Sequence, residues 1–361
     1  MSGKINNRIM STYKYQFTRT IRIWLIIGLV MLIGQVILGG ITRLTGSGLS
    51  ITRWDVVSGV VPPIGNAQWH DAFDLYKQTP QYHKINSHFD LGDFKFIFFW
   101  EYAHRLWVRI LGFVFLIPFI IFVFRKQMNW YLVKRLGLVI FFTALTASAG
   151  WIMVMSGLID RPWVDAYKLS LHFMLAVLSI GAMVKTIADV YNYRSSQTDF
   201  KTPKIVSTLI VITFLQLIFG GLMSGMKAGL YFPTWPDMNG SFIPNVLLKS
   251  NNWTWHNLTN YDTFTFAHAF VQFTHRMLAY LVLTLTIVMF VKMKTQIFEL
   301  VKKWLNTSIA LVILQVVLGI LTLLNIDGGI PLFYGVAHQL VGLLFFISLL
   351  FLYFSLREKR A

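Results

Sequence analysis

The sequence of 361 residues contains no cysteine, so disulfides, thiolate-held iron–sulfur clusters and cysteine nucleophiles are all excluded. Charge is scarce as well: Asp, Glu, Lys and Arg make up 13% of the chain, about half of what a soluble domain carries. Acidic residues are the scarcer kind, 15 against 32 Lys and Arg, for a formal net charge of +17. Apolar residues fill the space, 55% of the total, in runs of roughly twenty that recur along the whole length. This composition excludes disorder, and the runs are the mark of membrane-crossing helices rather than of one buried core.

A charge of +17 raises nucleic acid as a partner, and the positions of the basic residues remove it. Nineteen of them lie in 1–22, 125–135, 191–204, 292–303 and 357–360, which are alternate gaps between apolar runs. The other gaps, 43–95, 157–168, 227–264 and 325–332, hold nine basic residues against ten acidic ones. This is the positive-inside pattern: it predicts both termini in the cytoplasm and a lipid bilayer, not nucleic acid, as the partner. Met1 to Thr20 is basic and polar without a small-residue cleavage site, so the first apolar run reads as a retained helix.

The runs at 22–42, 94–124, 136–156, 165–190, 205–226, 265–291, 304–324 and 332–356 predict eight transmembrane helices, with large outer loops at 43–93 and 227–264. The second run exceeds the hydrocarbon thickness, so that helix should project beyond the outer surface or tilt. A repeat runs through the chain. Gln35, Gly39, Gly40, Gly48, Trp54 and Pro63 each have the same residue type 181 positions later, at Gln216, Gly220, Gly221, Gly229, Trp235 and Pro244. His104-Arg105 recurs as His275-Arg276, and His172 has a counterpart in His338. An even number of spans per half gives both halves one orientation. The expected fold is an all-α integral membrane protein of eight transmembrane helices, arranged as two pseudo-symmetric four-helix bundles, residues 1–200 and 201–361, about an axis along the membrane normal.

Histidine carries the chemistry. His70, His83, His88 and His256 fall in outer loops and read as solvated or structural, as does His268, whose repeat position holds Ile97. His104, His172, His275 and His338 lie inside the second, fourth, sixth and eighth helices at similar depth from the outer ends. Ionisable side chains at such depth mark functional sites. Two matched pairs on facing helices suit axial ligation of haem iron, one haem-sized site per half. Zinc is less suited, because no cysteine or carboxylate cluster accompanies either pair.

The halves differ three residues before each histidine of the second and sixth helices, where Glu101 stands in one and Gln272 in the other. Three residues is one helical face, so Glu101 is expected beside His104, one turn nearer the outside. A carboxyl group there can act as acid or base, whereas an amide cannot. The alternative is an ion pair with Arg105 or Arg109. Arg105 and Arg276 need partners of their own in a membrane, and haem propionates, loop carboxylates and backbone carbonyls all qualify. The segments Thr42–Gly48 and Gly225–Gly229 lack the lysine spacing of a phosphate loop. They read as helix stops, or as lids over a haem edge with Trp54 and Trp235 as apolar cover.

The run Thr42-Arg43-Leu44-Thr45-Gly46-Ser47-Gly48-Leu49-Ser50, the Pro62-Pro63 pair, Glu101-Tyr102-Ala103-His104-Arg105, Gln272-Phe273-Thr274-His275-Arg276-Met277-Leu278-Ala279-Tyr280 and His338-Gln339 resemble the haem A synthase family over nearly the whole chain. The resemblance implies an enzyme that converts haem O to haem A, for terminal cytochrome oxidases. In that family the methyl group at porphyrin C8 becomes a formyl group through two hydroxylations and loss of water. It implies His275 and His338 as axial ligands of a haem b, with His104 and His172 bracketing the substrate haem iron. Glu101 matches the family's essential glutamate. Some members carry a cysteine pair in the first outer loop; this chain resembles the cysteine-free branch of proteobacteria and mitochondria, which excludes a thiol relay. The expected home is a bacterial inner membrane with the haem sites toward the periplasm. Haem O synthase and cytochrome oxidase assembly factors are the expected protein partners, and a homo-oligomer remains open. The rival readings are a bis-histidine di-haem cytochrome b that only transfers electrons, and a haem-free transporter on the same duplicated plan.

Overall fold

The computed structural model describes residues 17–52, 61–157, 161–192, 204–295 and 299–356. Eight long apolar helices dominate it: α1 (Arg19–Leu44), α2 (Leu91–Phe124), α3 (Trp130–Gly157), α4 (Ala166–Val190), α5 (Lys204–Met226), α6 (Phe266–Met293), α7 (Glu299–Leu324) and α8 (Leu332–Ser355). Each matches one of the expected runs, with ends that differ by up to six residues, and the chain is an all-α integral membrane protein.

The ends differ from expectation for physical reasons. α3 starts six residues earlier than its apolar run because basic residues ride on its first turns. Lys134 lies over the Trp130 ring at 5.5 Å, and Arg135 donates from Nε to the Tyr131 hydroxyl at 3.2 Å. Long basic side chains tolerate this by laying their stems on apolar surface. α7 likewise starts at Glu299, ahead of Lys302 and Lys303. α2, at 34 residues, is about 51 Å long against a hydrocarbon core of about 30 Å. Its first turn carries a reciprocal cap between Asp90 and Asp93. The overhanging turns bury Phe94, Ile97 and Phe98 against Phe73 and Tyr76. Those two belong to a helix, Gly65–Lys77, that the sequence reading placed in a loop.

Within the first four helices α1 packs on α2 and α4, and α3 on α4; within the last four α5 packs on α6 and α8, and α7 on α8. One contact breaks the likeness: α6 also packs on α7, and no comparable packing joins α2 to α3. Between the sets, α4 meets α5 and α8 meets α1, with α4 against α8 at the centre. Lipid is as apolar as these side chains, so close packing and polar contacts must hold the helices together. Gly225 lets α5 approach α4 closely; a Cβ there would lie 2.7 Å from Ala166 Cα. Arg43, at the end of α1, crosses to the carboxy-terminal end of α5 and donates to the carbonyls of Ser224 and Gly225 at 2.7 and 2.9 Å. The last carbonyls of a helix lack the usual i+4 donor, though Ser224 also accepts from Lys227 N at 3.2 Å, and a cation there suits the helix dipole. Farther in, Val177, Ile180 and Met183 of α4 share one apolar cluster with Leu25 and Leu29 of α1 and with Leu343 and Phe346 of α8.

Candidate functional site

His275 of α6 faces His338 of α8 with ring centroids 6.3 Å apart and planes at 67°. Two imidazoles gripping one iron from opposite sides have this spacing: two metal–nitrogen bonds of about 2 Å and the half-rings beyond them reach about 6 Å. His338 Nδ1 lies 3.1 Å from the Gln315 carbonyl, an acceptor that fixes the ring and leaves Nε2 to a ligand. The amides of Gln216 and Gln315 reach the Nε2 atoms of His275 and His338 at 3.3 and 3.2 Å. Among the described residues, the side-chain oxygens of Gln216 and Gln315 are buried without a hydrogen-bond partner. A cluster of unmet polar atoms around two facing imidazoles fits a site for an axially ligated haem. Gly319 backs His338 so closely that a Cβ would sit 2.8 Å from the ring's Cε1.

The other pair is built alike. His172 Nδ1 lies 2.8 Å from the Thr146 carbonyl, and a Cβ at Gly150 would sit 2.8 Å from its Cε1. A Cβ at Gly39 would lie 3.3 Å from His104 Nε2; at its repeat partner, Gly220, one would lie 3.6 Å from His275 Cε1. Thr146 and Gln315, and Gly150 and Gly319, are each 169 residues apart. The repeat therefore extends through α3 and α7, where sequence reasoning missed it, because the register there differs from the 181 of α1 and α5. Gln315 has only a threonine opposite it in the first half.

Glu101 is 3% exposed, and its carboxylate turns to the segment that follows α1. Oε2 accepts from Ser50 Oγ at 2.7 Å and from Ile51 N at 2.8 Å, while Oε1 pairs with Arg105 Nη2 at 2.5 Å. The ion pair weighed from the sequence is thus present, with Arg105. In the second half Gln272 donates to the Phe232 carbonyl at 2.8 Å. Phe232 is Ile51 plus 181, so the polarity is reversed: the loop donates to Glu101 and accepts from Gln272. Of the partners left open for the arginines, both use backbone carbonyls. Arg105 donates to Ile51 at 3.3 Å; Arg276 donates to Phe232, Thr234 and Asp237 at 3.2, 2.7 and 2.6 Å. The Thr234 hydroxyl, the Gly240 amide and Arg276 together hold Asp237, outside the spans, below the usual carboxylate range.

The remaining histidines divide by exposure. His268 is 2% exposed, its ring 3.8 Å from that of Tyr231. His70, His83, His88 and His256 are exposed. The segment after α1 is a helix stop: Gly46 takes φ +69°, a left-handed conformation, and Ser47 N returns to the Thr42 carbonyl at 2.9 Å. Trp54, offered as cover for a haem edge, lies outside the described residues, and Trp235 is 40% exposed.

Residues 22–350 match the family model of the cytochrome oxidase assembly protein, COX15-CtaA. The chain is similar to the "Heme A synthase" of Flavobacterium psychrophilum, 37% identical over 326 residues that cover 89% of this chain and 93% of the relative. It is 41% identical to that of Parvibaculum lavamentivorans over 261 residues, 72% of this chain and 74% of the relative. With that of Bradyrhizobium diazoefficiens it shares 37% identity over 337 residues, 90% and 88% of the two chains.

Proposed function

We infer that this chain, which belongs to the haem A synthase family, is an oxidoreductase that converts haem O to haem A in the membrane. The finer reading is that it oxidises the C8 methyl group of haem O to a formyl group, in the half formed by residues 1–200. Residues 201–361 keep a resident haem b. The observation that carries this division is the exchange of Glu101 for Gln272 at one place in two histidine sites built on one plan.

His275 and His338 would hold haem b. Bound there, haem b supplies one-electron redox chemistry to the site. Gln315 orients His338 through its carbonyl, and Gly319 leaves the ring its room. In the first half His104 and His172 bracket the iron of haem O and so fix where its edge lies. Glu101, one turn outward, gives or takes a proton at the reacting methyl group, whose two-electron oxidation requires an external oxidant. Gln272 cannot do this, which leaves the second half a holder of its haem. The missing packing between α2 and α3 supports the same division. A half that exchanges an apolar substrate with the bilayer needs an open side, and one that retains a cofactor is better closed, as α6 and α7 close theirs.

Haem O and haem A should not cross water freely, which motivates docking with haem O synthase and cytochrome oxidase assembly factors. The basic gaps support a reading in which both termini lie in the cytoplasm of a bacterial cell and the haem sites face the periplasm. The test is chromatographic and mass identification of haems extracted from protein made in cells that also make haem O. Haem B with haem O, haem A or a hydroxylated intermediate is the expected result. Haem B alone at two per chain overturns the reading in favour of a di-haem electron-transfer cytochrome b.

A further inference from the structure

The segment Gly46–Ile51 is held at many points for a stretch without regular structure. The Gly46 carbonyl accepts from Gln81 Nε2 at 2.8 Å, and the Ser47 and Thr45 hydroxyls meet at 2.6 Å. Leu49 is buried against Gly157 at the end of α3, where a Cβ would lie 3.0 Å from its methyl carbon. The result is a strap pinned at both ends. Its last two residues grip Glu101.

Ser50 is 2% exposed and differs in kind from the other two groups that hold the carboxylate. The Ile51 amide and the Arg105 guanidinium can only donate. The Ser50 hydroxyl both donates and accepts, and it has two acceptors in reach: Glu101 Oε2 at 2.7 Å and the Ile97 carbonyl at 3.3 Å. It has one proton to give. Facing a carboxylate, it donates to Oε2. Facing a carboxyl group protonated at Oε2, it accepts that proton's hydrogen bond and turns its own hydrogen to Ile97. Either way the carboxyl keeps Ser50 as a hydrogen-bond partner. The second half has no such rotor, because position 50 plus 181 is Tyr231, whose ring lies on His268.

We propose that Ser50 is the positioning residue for Glu101, a hydroxyl rotor that holds the carboxyl group in one place through both of its protonation states. This rests on the role assigned to Glu101 above. Ser50 itself touches no substrate; its effect is on how often the carboxyl is aimed for proton exchange.

The test compares wild type, Ser50→Ala, Ser50→Thr and Glu101→Gln as purified holoenzymes supplied with haem O, with kcat, KM for haem O and haem B content measured on each. Ser50→Ala should retain its haem B and hold KM within about twofold, while kcat falls about tenfold, a modest part of the 10²–10⁴ that a positioned acid or base supplies. Ser50→Thr, which keeps the hydroxyl, should recover most of that loss. Unchanged kcat in Ser50→Ala overturns the proposal. So does a rise in KM at constant kcat, or a loss that threonine does not recover, since these would make Ser50 a binding or packing residue. Glu101→Gln tests the underlying reading separately. If it turns over normally, the acid–base role of Glu101 falls; if it is inactive while Ser50→Ala is normal, only the role of Ser50 falls.

Discussion

Adding a single methyl group at Gly319 should release haem b from the second site without disturbing the rest of the fold. The new Cβ would lie 2.8 Å from Cε1 of His338, 3.3 Å from Nδ1 and 3.6 Å from Nε2. Carbon atoms in contact settle at about 3.5–4.0 Å, so the ring must retreat by about 0.7 Å or more. It cannot do so freely, because Nδ1 is 3.1 Å from the Gln315 carbonyl and a hydrogen bond weakens beyond about 3.2 Å. Losing the group that orients a ligating histidine typically costs 10–100-fold in affinity, or about 1.4–2.7 kcal/mol. Purified Gly319→Ala should therefore carry less haem B per chain by pyridine haemochrome and show a weakened low-spin ferric signal. Gly137→Ala in α3 is the control, since a Cβ there meets nothing within 4 Å. As a helix-interior glycine it should be neutral, or more stable by up to ~1 kcal/mol. Full haem B in Gly319→Ala with an unaltered spectrum would show that His338 is not a ligand, or that the site is looser than its distances imply.

His275→Ala should lose tightly bound haem B, whereas His104→Ala should keep it and impair binding or conversion of haem O; loss of the same haem from both would undo the assignment of one haem to each half. Arg276→Ala strips a charged donor from the Phe232, Thr234 and Asp237 carbonyls, each such bond being worth about 1.5–3 kcal/mol. Faster proteolysis of residues 227–264 should follow, and an unchanged rate would mean that the loop is held elsewhere. Asp237 is held below its free value of 3.8, so what it adds to this loop is complete above that pH and is lost as acid protonates it. Pepsin cleavage of the loop should thus rise below about pH 3.8 in wild type; Asp237→Asn should be cleaved faster above that pH and gain less on acidification, and identical profiles would remove Asp237 from the account.

The spans and the histidines were legible because both leave marks that survive any packing: run length against bilayer thickness, and a residue type repeated at one depth. What was illegible depends on contacts between distant segments. Nothing local in Gly65–Lys77 signals that its Phe73 and Tyr76 will cover the overhang of α2. The first turns of α3 and α7 were missed because Lys134, Arg135, Lys302 and Lys303 cut the apolar windows short, although their stems lie comfortably on a helix. The repeat register of 181 made Gln35 and Gln216 visible, but the 169 of α3 and α7 hid Thr146, Gly150, Gln315 and Gly319. Glu101 was found for its difference from Gln272; Ser50 and Ile51, its partners, are about fifty residues upstream and have no spacing that points to it.

Duplication explains why two sites share a plan, and the strap explains why they cannot share a role. Changing Gln272 to glutamate would set a carboxylate against the Phe232 carbonyl that now accepts from the amide at 2.8 Å. Two acceptors would then face each other, and Arg276 is already committed to four carbonyls. The first half avoids this by turning the strap so that the Ile51 amide, not its carbonyl, meets the side chain, and by placing a small hydroxyl where the second half has Tyr231. On the proposed assignment, acid–base capacity belongs to the pairing of Glu101 with its loop rather than to one residue. A carboxylate moved alone into the second half would arrive without the donors that hold it, and under the proposed division that half would still only keep its haem.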